Sequence, residues 1–357
     1  MEIYSIQEWL FKTANGKFEF DLAESGIQFQ TVNDITIKDD WILDYSIDQG
    51  NIELRELIAR NYKNTTTRNI AVAHGGQEAL YLLYRTLLEA GDHVITVTPG
   101  WQQSWEVPKA IGANVTLLNW IPGDKFPLEE FEKKINQNTK LIILNSPSNP
   151  IGSMIQPEEW STIVSLARNN NSYIVNDEEY IINFQESIRS VYEKSFSVSS
   201  LSKIFGMPAL RIGWIAGPED IINKIINYKR YTSVCNSLLC EKIAIEVLKN
   251  SELHINRYNR IIKNSYPLLK EFVIKNHKYV SLVESKNTPF AWLNLNTDIS
   301  SFEFCKRLLD EHKMLVMPAE VFGYEKGIRV TYGRDVKTLK EGFTRLELLF
   351  SNLDLEA

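Results

Sequence analysis

The sequence has few cysteines, no long apolar run and no excess of basic residues, and each shortage argues against a class of protein. Cys235, Cys240 and Cys305 form no Cys-x-x-Cys pair, so neither a disulfide framework nor a zinc site is expected. No run of 18 apolar residues is present, which argues against a membrane-spanning helix. The 39 Lys and Arg against 45 Asp and Glu residues give a formal net charge of −6. This mild acidity disfavours a nucleic-acid or anionic-membrane partner.

The first ten residues lack the layout of a secretory signal, a basic segment followed by an apolar core. Together with the odd number of cysteines, this predicts a cytoplasmic protein. The 357 residues exceed the size at which one hydrophobic core usually stops growing. We therefore expect two domains, a large one over residues 40–235 and a small one formed by residues 1–39 and 236–357.

Short apolar strands alternate with amphipathic helices in the first two thirds of the chain. Strands are predicted at 70–73, 94–97, 115–118, 141–144, 173–175 and 195–198, and helices at 51–62, 77–88, 127–135 and 157–168. This alternation predicts an α/β fold with a mostly parallel sheet flanked by helices. After about residue 225, helices at 238–248, 255–274 and 336–350 and strands at 291–295 and 328–332 indicate a smaller α+β domain.

The unusual loops each follow a predicted strand. They contain Gly76, Trp101, Asn149, Asp177 and Lys203. In parallel sheets the ligand binds outside the carboxyl ends of the strands, where such loops meet. We therefore expect these loops to share one cleft.

The segment 200–213 places Lys203 after Ser200 and sets Arg211 eight positions further along. An amine in an apolar loop is costly to keep charged, so Lys203 is expected to be a neutral nucleophile that forms an imine with a carbonyl. Ser200 and Arg211 can hold an anion beside it. An amine next to a phosphate site suggests pyridoxal phosphate. The alternative is a loop lysine near an arginine that belongs to a core ion pair.

The other loops can supply what this cofactor needs. Asp177 can pair with a pyridinium nitrogen and keep the ring an electron sink, although a solvated turn or a metal ligand is an alternative. No histidine lies near it in sequence, so no metal is expected. Tyr180 and Asn149 can donate hydrogen bonds to a phenolate oxygen. Gly76 precedes a predicted helix whose N-terminus can bind phosphate, and Trp101 offers a flat face or packs in the core.

Three ordered motifs give the sequence a specific resemblance. It resembles the class I/II aminotransferases, which are fold-type I pyridoxal phosphate enzymes, from Tyr45 to the C-terminus. The family's lysine signature is matched throughout 200–213, and its Asp-Glu-x-Tyr motif by residues 177–180. Its Asn-Pro-x-Asn-Pro-x-Gly motif is matched by residues 146–152, with Ser146 in place of the first asparagine.

The resemblance implies a role for each candidate residue. Lys203 forms the internal aldimine with pyridoxal 5'-phosphate, Asp177 contacts the pyridine nitrogen, and Asn149 with Tyr180 contacts the ring oxygen. The remaining cofactor contacts implied are Ser200, Arg211, and the backbone of Gly76 and Gln77 for the phosphate, with Trp101 stacked on the ring. Tyr45 reaches the phosphate of a neighbouring subunit, which implies a homodimer with shared sites. Arg329 clamps the substrate α-carboxylate; its alternative is a surface strand arginine.

The resemblance predicts an aminotransferase that moves an amino group between an amino acid and a 2-oxo acid, with Lys203, Asp177 and Tyr180 as its catalytic residues. Elimination, cyclisation or oxidation of an amino acid, and a cofactor-binding protein that has lost catalysis, are the alternatives. The family's N-terminal Gly-x-Pro segment is absent, and residues 21–26 stand in its place, so no particular substrate is implied. The N-terminus is weakly similar to a subgroup that acts on arginine-derived substrates, such as capreomycidine synthase.

Overall fold

The computed structural model describes residues 1–285 and 288–356. Its strands are β1 Phe20–Asp21, β2 Ile70–Ala73, β3 His93–Thr98, β4 Asn114–Asn119, β5 Thr139–Asn145, β6 Tyr173–Asp177, β7 Ser195–Ser200, β8 Gly213–Ala216, β9 Val280–Val283, β10 Phe290–Leu295, β11 Met314–Leu315, β12 Met317–Pro318 and β13 Ile328–Thr331. Its helices are α1 Ser5–Gln7, α2 Ile52–Ala59, α3 Gly75–Leu87, α4 Gln103–Ile111, α5 Leu128–Lys134, α6 Pro157–Asn169, α7 Glu219–Lys229, α8 Leu238–Lys249, α9 Ser251–Lys275, α10 Ser301–His312 and α11 Val336–Glu356.

The central sheet has seven strands in the order β2-β8-β7-β6-β5-β3-β4. Strand β8 is antiparallel to both of its neighbours, while the pairs from β7 through to β4 are parallel. Every residue of β7 and β8 is buried, as expected for strands covered on both faces. The predicted α/β fold class, with a mostly parallel sheet, is confirmed.

Helices cover one face of this sheet through their apolar stripes. Helix α3 buries Ala79, Leu80 and Leu83, which share a face because Leu83 lies four residues after Ala79 and three after Leu80. They pack in one cluster with Phe196 of β7 and Ile215 of β8. This packing fixes the start of α3 against the sheet, so the first turn of the helix points toward the carboxyl ends of the strands.

A smaller antiparallel sheet has the strand order β12-β13-β10-β9. It shares a hydrophobic cluster with the central sheet. Ile142 and Ile174 of the central sheet belong to the same hydrophobic cluster as Leu293 and Val330 of the smaller one. Strand β1 pairs in parallel with β11. The N-terminal segment is thereby attached to the C-terminal part of the chain, while the exact domain boundaries stay a prediction.

Some elements differ from the sequence-based expectation. Strand β8 was not predicted, because its four residues are too short to show a period. Helix α4 was also missed, since Pro108 lies inside it and proline normally interrupts a helix. Helix α3 begins at Gly75 rather than at Gln77. Within the described residues, no helix combines the length and hydropathy needed to cross a membrane.

Candidate active site

The carboxyl edge of the central sheet opens into a cleft of about 560 Å³. Asp177 ends β6, and Lys203 follows β7. Because β8 runs antiparallel, its first residue Gly213 pairs with Ser200 at the same edge, which brings the preceding Arg211 there as well. The cleft is lined by the predicted residues Gly76, Gln77, Trp101, Asn149, Asp177, Tyr180, Lys203, Arg211 and Arg329.

Lys203 faces a carboxylate that the sequence reasoning missed. Its Nζ donates to Glu24 Oε1 at 2.9 Å, and the two side chains are 23% and 25% exposed. Burial disfavours the ionised form of Glu24, but Lys203 and the Gly26 N–H at 2.8 Å outweigh it and lower the pKa of Glu24 to about 2. The expectation that the Lys203 amine lies in an apolar environment is therefore wrong, because the ionised carboxylate of Glu24 is paired with it.

Asp177 lies at the bottom of the cleft with an unusually high proton affinity. Burial and the nearby charge of Glu179 raise the pKa of Asp177, while the Glu179 N–H, at 3.2 Å from Asp177 Oδ1, and Lys203 act in the opposite direction. Two buried carboxyls this close cannot both ionise without a compensating cation. A pyridinium nitrogen is such a cation, so Asp177 fits the contact expected of it.

Tyr180 and Asn149 border the same cavity. Tyr180 is 2% exposed and its ring meets that of Phe290 edge-on at 5.1 Å. Burial raises the pKa of the Tyr180 hydroxyl, which keeps it a hydrogen-bond donor. The Asn149 backbone N–H donates to Asn145 Oδ1 at 2.5 Å, which orders the loop after β5. Both side chains are thus held at the cleft wall with polar groups available.

The beginning of α3 and Arg211 form a cradle suited to a phosphate. The Arg211 guanidinium donates to the carbonyls of His74 and Pro208, each at 3.1 Å. A Cβ on Gly75 would come within 2.5 Å of Arg211 Nη2, and one on Gly213 within 2.5 Å of the Gly75 backbone. Glycine at both positions therefore lets the fork approach the helix N-terminus, where backbone N–H groups favour an anion.

Trp101 is fixed at the cleft by its neighbours. Its Nε1 donates to Gln77 Oε1 at 2.8 Å, and its ring meets Tyr4 edge-on, with centroids 5.8 Å apart. These contacts fix the indole in the cleft wall, where its flat apolar surface suits an aromatic ligand. Gln77 therefore has two roles. Its backbone lies in the first turn of α3, and its side chain accepts the hydrogen bond from Trp101.

Arg329 reaches the cleft from the smaller sheet. It lies on β13 opposite Trp292, is 3% exposed, and donates from Nη1 to Asn149 Oδ1 at 2.6 Å and from Nη2 to the Ala23 carbonyl. Within the described residues, Nη1 and Nη2 each use one of their two N–H groups in these contacts, while Nε is fully buried without a hydrogen-bond partner. The surface-arginine alternative is therefore wrong, and a buried fork with a spare donor fits an incoming carboxylate.

Tyr45 and Ser200 are the two predicted residues that do not line the cleft. Tyr45 is 85% exposed and pairs through its backbone with Ser237. Its predicted contact with the phosphate of a neighbouring subunit stays a prediction. Ser200 is buried behind the cleft and donates from Oγ to Glu179 Oε2 at 2.6 Å.

The N-terminal segment contributes the residues that sequence reasoning missed. It lines the cleft with Tyr4, Ile6, Gln7, Leu10, Phe11, Asp21, Ala23, Glu24 and Ser25. Burial raises the pKa of Asp21, which accepts hydrogen bonds from the Ala23 and Glu24 N–H groups. No periodic pattern marks this segment, so its signals were the absence of the family's Gly-x-Pro segment at 21–26 and the weak similarity of the N-terminus to the capreomycidine synthase subgroup.

Comparison with known proteins agrees with this geometry. The family model for aminotransferase class I and II matches residues 38–346. The chain belongs to this family. The cofactor of this family is pyridoxal 5'-phosphate, and the residues that line the cleft fit it. The predicted family and cofactor are both confirmed.

Individual members of the class I and II aminotransferases resemble the chain over most of its length. An aspartate aminotransferase of Pyrococcus horikoshii is 27% identical over 85% of this chain and 82% of that protein. Capreomycidine synthase of Streptomyces vinaceus is 22% identical over 96% and 92%. The crystal structure of a PLP-dependent aminotransferase from Streptococcus suis 89-1591 superposes with a TM-score of 0.93, at 25% identity, over 99% of this chain and 98% of that one.

Proposed function

We propose that the protein is an aminotransferase that moves an amino group between an amino acid and a 2-oxo acid. The observation that carries the proposal is the convergence of Lys203, Asp177 and Arg329 on one cleft from three separate parts of the fold. An amine, a buried acid and a carboxylate-binding fork are the groups that α-amino acid chemistry with this cofactor requires. When bound, the cofactor supplies an electron sink for the electron pair left by the α-proton.

Binding of the amino acid begins with its α-carboxylate. We assign this contact to Arg329, whose Nη1 is aligned by Asn149 and whose Nη1 and Nη2 each keep a second N–H beyond their contacts with Asn149 and Ala23. Phe290 and Phe322 lie 5.3 and 5.0 Å from its guanidinium carbon, measured to the ring centroids. These rings exclude water from the fork and thereby strengthen a charge-assisted hydrogen bond.

Proton transfer is assigned to Lys203. Its Nζ would hold the cofactor covalently at rest; once released, the amine would take the proton from the substrate α-carbon and deliver it to the cofactor carbon. Asp177 would keep the ring nitrogen protonated, and Tyr180 with Asn149 would donate to the ring oxygen. Ser200, Arg211 and the backbone at Gly76 and Gln77 would hold the phosphate, and Trp101 would stack on the ring.

A single-turnover assay tests the proposal. The purified holoenzyme is mixed with individual amino acids in the absence of a 2-oxo acid, and absorbance spectra are recorded with the 2-oxo acid product measured in parallel. One product per site with conversion to the amino form of the cofactor supports transamination. Release of ammonia without that conversion would contradict it. Lys203→Ala should abolish the change, and Lys63→Ala, an exposed lysine away from the cleft, should preserve it.

A second candidate is elimination, cyclisation or oxidation of an amino acid with a cationic side chain, such as an arginine derivative. Glu24 favours it, because this carboxylate loses its partner when Lys203 holds the cofactor and a buried carboxylate then needs another cation. Asp21 adds a second acid to the cleft. The match to capreomycidine synthase also extends over 96% of the chain. In the same assay, a cationic substrate that yields product without the amino form supports this candidate.

We further propose a homodimer in which Tyr45 completes the partner's phosphate site. Large apolar side chains are exposed around it: Ile42 is 73%, Leu43 79%, Tyr45 85% and Val234 54% exposed. A cluster of this kind is typical of a protein–protein interface. Analytical ultracentrifugation measures the state directly, and a monomer at micromolar concentration with bound cofactor would refute the shared site.

A further inference from the structure

Glu179 lies in the cleft, and none of the chemistry above uses it. It stands between Glu178 and Tyr180, and its side chain is 8% exposed. Glu178 points away from the cleft, toward the Ser197 hydroxyl and the Ile188 N–H. Glu179 instead lines the cleft. A buried carboxylate in this position is costly unless it interacts with something specific.

The Glu179 carboxylate lies in the cradle assigned to the phosphate. Its Oε2 accepts a hydrogen bond from Ser200 Oγ at 2.6 Å. Its Oε1 is so close to the start of α3 that a Cβ on Gly76 would come within 2.3 Å of it. Arg211 is near enough for its charge to favour the ionised carboxylate. The helix terminus, the hydroxyl and the guanidinium expected to receive the phosphate therefore all face Glu179.

An ionised Glu179 and a phosphate compete in this cradle. Ser200 Oγ has one proton to donate, so it serves one of the two anions at a time. Two like charges side by side in a buried site also repel each other strongly. A proton on Glu179 removes both conflicts, because the neutral carboxyl no longer repels the phosphate and can itself donate a hydrogen bond to it.

We propose that Glu179 controls the phosphate seat, and that the phosphate of the cofactor binds with full affinity only when the Glu179 carboxyl is protonated. Cofactor binding is then coupled to the uptake of one proton, and Glu179 donates to a phosphate oxygen in the complex. This inference rests on the proposed function, because it takes Ser200 and Arg211 as the phosphate seat.

Charged groups on several elements surround Glu179 and set its proton affinity. They are Asp177 and Tyr180 on its own segment, Lys203 after β7, Arg211 before β8, and Glu24 from the N-terminal segment. Burial is the largest influence and raises the pKa of Glu179, while the Ser200 hydroxyl, Lys203 and Arg211 oppose it. The net direction is upward, so burial favours the protonated form of Glu179.

Sulfate binding to the full-length protein, stripped of cofactor, tests the inference without using activity. Sulfate keeps its charge between about pH 6 and about pH 8.5, so any change in its affinity comes from the protein. For the wild type we expect affinity to fall by up to about tenfold per pH unit as Glu179 loses its proton. Glu179→Gln should bind about tenfold tighter at the alkaline end and lose the slope. The same variant should bind pyridoxal 5'-phosphate more tightly, as followed by quenching of tryptophan fluorescence.

Asp21→Asn is the matched control, because it removes another carboxylate that lines the cleft but is not among the charged groups that set the proton affinity of Glu179, and it should keep the wild-type slope. Glu179→Gln with unchanged or weaker sulfate affinity, or with the wild-type slope, overturns the inference. If this variant does not fold, the wild type decides alone, since a pH-independent sulfate affinity refutes the coupling. Arg211→Ala separates the two proposals. If Arg211→Ala binds sulfate as tightly as the wild type, the assignment of the phosphate seat is itself wrong. If Arg211→Ala loses sulfate binding, the seat stands, and a negative result for Glu179→Gln refutes only the coupling to Glu179.

Discussion

Replacing Arg329 by lysine isolates the contribution of its planar fork, because lysine keeps the positive charge and loses the paired donors. In the structure the guanidinium is 3% exposed and is aligned by Asn149 Oδ1 at 2.6 Å. Nη1 and Nη2 each use one of their two N–H groups for Asn149 and Ala23, which leaves a second N–H on each for a substrate. Losing one hydrogen bond to a charged carboxylate costs about 1.5–3 kcal/mol. We therefore expect kcat/KM for amino acids to fall about tenfold to a hundredfold.

The assay compares the Arg329→Lys variant with the wild type on two substrates in single-turnover reactions. One is an α-amino acid and the other is the corresponding amine without the carboxylate. The carboxylate is bound both before and during the chemical step, so most of the loss should appear in KM. The amine should react at about the same low rate in both proteins, because it makes no contact with the fork.

Arg334→Lys serves as the control for a general packing defect. Arg334 is 7% exposed and donates to the carbonyls of Gly26 and Gly333, but it does not line the cleft. The assignment of Arg329 is refuted if its lysine variant loses activity equally on the amine and the amino acid. It is also refuted if Arg334→Lys reproduces the same KM effect.

Three further predictions follow from the site. Lys203→Ala should remove the absorbance band of covalently bound cofactor and lower turnover by about 10²–10⁴-fold or more; a retained band would refute the anchor. Tyr45→Phe should weaken cofactor retention about tenfold in the dimer, the value of one hydrogen bond to a charged group, as measured by dialysis, and an unchanged off-rate would contradict the shared site. Glu24→Gln should lower the thermal midpoint at neutral pH, since the carboxyl's pKa falls from 4.5 to about 2 on folding. That difference should shrink as the pH falls from 4.5 toward 2, and a constant difference would refute the ion pair.

The cofactor side of the cleft was predictable from the sequence because local patterns determine it. A parallel strand ends at a fixed edge of the sheet, so a polar residue just after one must lie near the others. Asp177, at the end of β6, and Lys203, after β7, were placed by this rule alone. Arg211 required its spacing from Lys203, because β8, which turns the chain back to the same edge, was too short to recognise.

The substrate side was predictable only in part, because tertiary pairing determines most of it. The resemblance implied Arg329 but not its contact with Asn149. Glu24 and Lys203 are 179 residues apart, and Arg329 and Asn149 are 180 apart. The two-residue pairing of β1 with β11 brings residues 21–26 to the cleft, and a strand of two residues leaves no periodicity to detect. The Glu179 contact was missed for a related reason, since nothing in the sequence Asp-Glu-Glu-Tyr shows which acid faces the cleft.

This division has a physical consequence for how the protein can change substrate. The residues assigned to the cofactor are fixed by the register of a buried sheet, where a shifted strand would move every side chain to the opposite face. Asp21 and Glu24 lie on an irregular segment held by short local hydrogen bonds, which tolerates exchange much better. Substitutions in residues 21–26 should therefore alter which side chains the cleft accepts while the cofactor band keeps its position. Spectra and substrate profiles of the same variants measure the two effects separately, and a shifted band in each variant would show that the segment also shapes the cofactor site.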